Sequence, residues 1–183
     1  TQLDVPFGVT LFDGIEDKGI RVTAQEPVSV YGLNRMSAST DAYMALPIAS
    51  LGVDYRILTY KTTLNSNGSG MSVVATQNGT VITVFNHQSG GTFNYNLDAG
   101  QTFHVSVPTL GQDLTGSTIQ SNYPIVVYGS VQSTRIPEGC FYADHIVEQM
   151  FPISAWGKKF ITVPTAGRDE SGDIFRVLAN ENG

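Results

Sequence analysis

The strongest constraint on this chain is a phrase written twice, Pro27-Val-Ser-Val-Tyr-Gly32 and Pro124-Ile-Val-Val-Tyr-Gly129. The two halves stay in step around it. Gly14 and Gly111, Gly19 and Gly116, and Tyr31 and Tyr128 all lie 97 positions apart (128 − 31). After a longer loop in the second copy, Pro47 and Pro152, Gly52 and Gly157, and Tyr55 and Phe160 lie 105 apart (152 − 47). A last group, Val73 and Val177, Ala75 and Ala179, Asn78 and Asn182, and Gly79 and Gly183, is spaced by 104 (177 − 73). Self-similarity at a fixed period, with length changes confined to loops, marks a duplicated structural unit. The repeat divides the chain into residues 1–19, the tail of a preceding strand, a first repeat over 20–116 and a second over 117–183. The second copy reaches Gly183 where the first continues through Thr80–Val107, so the second repeat is expected to be incomplete.

Within each copy the pattern is that of strands. Phe93, Tyr95 and Leu97 alternate with Asn94 and Asn96, and Phe103, Val105 and Val107 alternate with polar neighbours, the period of sheets with one wet face. Strands are also predicted at Ile20–Ala24, Val28–Tyr31, Tyr55–Tyr60, Met71–Thr76, Thr80–Phe85, Phe160–Val163 and Ile174–Leu178. Ile125–Tyr128, apolar on both faces, reads as a central strand. Asn78-Gly79 is a two-residue hairpin signal, and Ser89-Gly-Gly91 is a turn. Residues 33–52 read as a long connection with one helical turn near Asp41–Ala45. These features predict an all-β fold of two tandem antiparallel repeats of about a hundred residues, sandwich-like, with a propeller-like array as the alternative.

Composition narrows the function classes. Only 14% of the 183 residues are charged, below the usual quarter, and the net charge is −6 with no Lys/Arg cluster. A phosphate-tracking basic surface is therefore not expected, nor is nucleic-acid binding. No apolar run reaches the length of a membrane helix. The single cysteine, Cys140, rules out an intrachain disulfide framework and reads as a packed thiol or an interchain partner. Asn67-Gly-Ser and Asn78-Gly-Thr match the glycosylation acceptor pattern, but both Asn-Gly pairs are equally turn signals.

Catalytic constellations are weak. In Cys140-Phe-Tyr-Ala-Asp-His-Ile-Val-Glu-Gln149 a helical turn would bring His145 and Glu148 onto one face. Gln149, however, stands where a zinc site of the His-x-x-Glu-His kind needs its second histidine. Asp144, His145, Glu148 and Gln149 are better read as a structural polar knot that ties the long second-copy loop to backbone groups. Asp169, Glu170 and Asp173 lack the spacing of a calcium loop and read as a hairpin tip. Asp113-Leu-Thr-Gly116 matches the turn Glu16-Asp-Lys-Gly19 of the first copy, and His104 falls on the polar face of a strand. Tyr142 and Trp156 are the candidate ligand-facing aromatics, although Trp156 takes the place of Leu51 in the first copy, which points to packing. No catalytic residue, metal site or cofactor is expected.

Several stretches taken together are similar to one family. They are Asp41-Ala-Tyr-Met-Ala-Leu-Pro47, Leu51-Gly-Val-Asp-Tyr55, Val73-Val-Ala-Thr-Gln-Asn-Gly-Thr80, Leu97-Asp-Ala-Gly-Gln-Thr-Phe103, Asp113–Gly116 and Asp144–Gln149, with the Pro27 phrase and Trp156-Gly. In this order they resemble the N-terminal domain family of IgGFc-binding protein. The resemblance implies a non-catalytic extracellular or cell-surface module within a larger secreted protein, and the low cysteine content points to a bacterial, adhesin-like member. It implies adhesion, or binding of an extracellular protein or glycan, with self-association through open strand edges as a further mode. Two other roles come from the sequence itself: a filament subunit assembled by strand complementation, and a carbohydrate-binding accessory domain of a secreted hydrolase.

Overall fold

The computed structural model describes residues 2, 4–5, 11–36, 38–64, 68–165 and 172–181. Its described elements are ten strands and two short 3-10 turns. The strands are β1 (Gly14–Glu16), β2 (Val30–Met36), β3 (Ser39–Ala45), β4 (Gly52–Arg56), β5 (Ser69–Ala75), β6 (Thr80–Asn86), β7 (Gly91–Leu97), β8 (Thr102–Val107), β9 (Thr118–Thr134) and β10 (Asp144–Gln149). The fold is all-β and every strand pairing is antiparallel.

The 17-residue β9 is the spine. Its first part, near Thr118–Ser121, lies between β4 and β6, and its second part, Ile125–Thr134, lies between β5 and β10. The sheet therefore continues outward as β5-β8-β1 from one half of β9 and as β6-β7 from the other. A long strand shared in this way lets the two halves of one eight-stranded sheet fold over a common core in a sandwich-like arrangement. The buried side chains come from both layers: Tyr55, Ile82, Val84, Leu97 and Ile119 from one, and Met71, Val73, Phe103, Ile125 and Val127 from the other. Along β9 the buried residues alternate, with Ile125, Val127, Gly129 and Val131 on the core face. Ile125–Tyr128 is thus the central strand its apolar sequence predicts. The phenol of Tyr55 ties β4 to β9, donating to Ile125 O at 2.7 Å and accepting from Gly52 N at 2.9 Å.

Several local expectations are corrected. Asp41–Ala45 is part of strand β3, because β2 offers it a ladder seven residues long. Asn78-Gly79 does not close a hairpin, since β5 and β6 run in the same direction along one edge of β9. The turn is a step between them. Gly79, at φ +70°, gives its amide to Asp98 Oδ1, and Asn78 Oδ1 accepts from Ala99 N, so the loop after β7 holds the step open. The strand expected over 55–60 starts earlier and stops at Arg56. Ile20–Ala24, Phe160–Val163 and Ile174–Leu178 form no strand, for among the described residues no neighbouring strand pairs with them. His104 is not on an open face. It bonds Ser72 Oγ through Nδ1 at 2.8 Å beside β1, and burial lowers its pKa against the opposing pull of Asp13.

The sequence duplication has a structural counterpart. In the β2–β3 hairpin Tyr31 faces Met44 and Gly32 faces Tyr43; in β9–β10 Tyr128 faces Gln149 and Gly129 faces Glu148. Shifted by 97 and 105, the two registers coincide. Both hairpins then pass through an extended proline, Pro47 or Pro152, into a 3-10 turn, Ile48–Ser50 or Ile153–Ala155.

Candidate functional site

The four polar residues singled out in the second copy lie on β10 rather than on a helical turn, so His145 and Glu148, three apart, point to opposite faces of the strand. β10 runs beside β3 in the same direction, and side chains bridge the two. Ser39 Oγ bonds the Asp144 carboxylate and lies 2.5 Å from His145 Nδ1. Asp41 Oδ2 accepts from Val147 N at 2.8 Å, and Gln149 Oε1 accepts from Leu46 N at 2.9 Å. With the Ser39 hydroxyl donating to Asp144, its oxygen is left to accept from His145 Nδ1. His145 Nε2 is buried without a hydrogen-bond partner, and so is the amide donor Gln149 Nε2. Hydrogen bonding from Ser39, with help from the His145 amide, holds the Asp144 carboxyl below its ordinary range. Burial, then the nearby Asp41 charge, raises that of Glu148. Tyr43 and Tyr128 meet edge to face at 5.0 Å along the same seam.

The two candidate aromatics are not brought together. Tyr142 is 83% exposed and stacks edge to face with Phe141. Both line an open groove with Thr134, Ile136, Cys140 and Ile146. Trp156 is half-buried elsewhere, its indole N–H donating to Phe151 O at 3.2 Å. Cys140 is a free thiol directed at Ile136 O, five residues from a histidine whose Nδ1 is already engaged by Ser39. Among the described residues no three His, Cys, Asp or Glu side chains are grouped to hold a metal. Asp169 and Glu170 lie outside the described residues, and so does Asn67; Asp173 accepts from Thr165 N. No described helix is long and apolar enough to cross a membrane.

One polar centre escaped the sequence reading. Asp113 Oδ1 accepts from Thr59 Oγ1 at 2.5 Å, Thr115 Oγ1 at 2.7 Å and Thr115 N at 2.8 Å, and Oδ2 faces Arg176 at 3.3 Å. Burial pushes this carboxyl up, but the threonine hydrogen bonds and the Arg176 charge outweigh it and hold the pKa low. The Arg176 guanidinium also donates to Thr59 O and lies over the Tyr60 ring. The Asp-x-Thr spacing was the available signal, since a threonine two residues on closes an Asx turn.

Residues 41–183 match the protein-family profile described as IgGFc binding protein. The chain belongs to the IgGFc-binding protein family. A human relative named IgGFc-binding protein is 28% identical over 164 residues, which cover 84% of this chain and 3% of that protein. The chain thus spans a small part of the relative's length. Among solved structures, that of Thermotoga maritima 1070 aligns over 55% of this chain and 91% of its own, at a TM-score of 0.36 and 14% identity. The matched stretch of the IgGFc-binding family opens at Asp41, whose carboxylate ties β3 to β10, and takes in the spine β9 and the exposed Phe141–Tyr142 pair.

Proposed function

We propose that the chain is a protein-binding module of a larger extracellular protein, serving adhesion or assembly rather than catalysis. Membership in the IgGFc-binding family carries this reading. Its human relative takes its name from binding the Fc part of IgG. The surface suits macromolecular contact. Phe141 and Tyr142 stand more than four-fifths exposed at the rim of an open groove, and large exposed aromatics are the usual anchors of protein interfaces. An exposed aromatic platform is also the feature that favours the glycan reading.

The test is to flow IgG Fc and, separately, mucin-type glycoproteins with and without their glycans over the immobilised chain. Saturable binding is expected, weakened about tenfold or more by Tyr142→Ala, the scale of one interface anchor. Binding lost on deglycosylation would assign the groove to glycan. No binding to either protein by a folded chain would overturn the reading.

A further inference from the structure

The internal duplication predicts more contacts than the molecule makes. β9 belongs to the second copy, yet it is held by β4 and β5 of the first. The first-copy equivalent of residues 117–131, which take in most of β9, is residues 20–34, which include most of β2. The equivalents of β4 and β5 in the second copy are residues 157–161 and 173–179. None of these has its corresponding partner. Among the described residues β2 pairs with β3 alone, and 157–161 and 173–179 pair with no strand.

Their side chains show the same vacancy. Tyr55 and Ile119 face each other across the β4–β9 ladder and are fully buried, whereas their equivalents Phe160 and Val22 are 81% and 47% exposed. Val73 is fully buried on β5, while its equivalent Val177 is 93% exposed. Phe175, the equivalent of core residue Met71, is also exposed, as is Val28, the equivalent of Ile125. Apolar residues left out in matched positions on two segments amount to two halves of one sandwich.

We propose that residues 157–161 and 173–179 accept the segment 20–34 of a second copy of this chain, in the register that β4 and β5 use for β9. Carrying over the observed ladder places Val177 opposite Val30, Phe175 opposite Gly32, Ala179 opposite Val28 and Phe160 opposite Val22. Gly32 then meets Phe175 as Gly129 meets Met71, with no side chain to obstruct the approach. A partner in another molecule is favoured because, among the described residues of one molecule, the two segments do not pair with each other and their anchors lie apart. Gly19 N bonds Gly100 O beside the Ala75 end of β5, whereas Arg176 bonds Thr59, which touches Ser69 at the other end. About 20 Å of extended strand separates those ends. Every molecule carries both a donor and an acceptor, so association is head to tail. The proposal goes beyond the binding reading, since it concerns a different surface from the Phe141–Tyr142 groove.

The test places single cysteines in a Cys140→Ser background. Val30→Cys and Val177→Cys proteins are mixed and oxidised, with Val30→Cys and Ile174→Cys as the out-of-register control. A disulfide-linked species of two chains is expected from the first mixture, at least tenfold more abundant than from the control. A synthetic 20–34 peptide should suppress it, and both variants should melt like their parent. Equal linkage in both mixtures, or none, overturns the proposal. So does a Val30→Cys/Val177→Cys double variant that links mainly within one chain. Retained Fc or mucin binding alongside failed linkage would separate this proposal from the binding reading.

Discussion

Asp113 shows how much one side chain can hold. It sits in the turn before β9, and its carboxylate gathers Thr59 from the strand-to-loop junction, Thr115 from its own turn and Arg176 from the second copy. The folded pKa is lowered, so the stabilisation is present above the ordinary carboxylate range and is lost as pH falls through the folded value. Asp113→Ala should therefore cost about 2–3 kcal/mol at pH 7, the worth of hydrogen bonds to a charged group. Urea denaturation at pH 7 and pH 3 checks this. The deficit should shrink at pH 3, and an equal deficit at both would mean that the charge contributes nothing. Arg176→Ala should cost less than about 1 kcal/mol, because its ion pair is part-exposed and screened.

Among the elements, the two repeated glycines, Gly32 and Gly129, make a matched comparison. A Cβ at Gly129 would stand 2.3 Å from Leu58 O, a backbone atom fixed beside the core. A Cβ at Gly32 would meet the Tyr43 ring, a side chain that can swing aside. Gly129→Ala should thus lower the melting temperature by about 5 °C or more, as overpacking of about 2 kcal/mol or greater does in a domain of this size. Gly32→Ala should lower it by less than half as much. Equal shifts would show that the spine is no tighter than the hairpin. The phrase Pro-x-x-Val-Tyr-Gly carried this element information in the sequence, and the alternation along 92–107 carried β7 and β8. The step at Asn78-Gly79 was not legible there. A turn that reverses a chain and one that offsets it use the same residues, and here Asp98 and Ala99, twenty residues away, decide between them. The strand character of Asp41–Ala45 and of Asp144–Gln149 was hidden for a similar reason. Short polar-apolar stretches suit a helical turn or a strand, and only the long-range ladder selects one.

At the scale of the whole molecule, the β2–β3 hairpin shares no backbone ladder with the large sheet among the described residues. What joins them includes the side-chain seam of Ser39, Asp41, Tyr43 and Gln149, with Leu46 N as one of its few backbone donors. A junction made of a few side-chain bonds and one ring pair should open more easily than the ladders of β5 and β9, whose residues fill the core. The hairpin is then a local unit of lower stability, which suits a segment that carries an unpaired strand edge. Asp41→Ala removes the bond to Val147 N without touching the core. Hydrogen exchange should show the amides of β2 and β3 exchanging at least tenfold faster in this variant, with those of β5 and the Ile125–Val131 stretch of β9 unchanged. Tenfold corresponds to about 1.4 kcal/mol, the order of one hydrogen bond to a charged acceptor. If β5 and β9 lost protection by the same factor, the hairpin and the sandwich would open as one cooperative body, and the seam would be as strong as the ladders it connects.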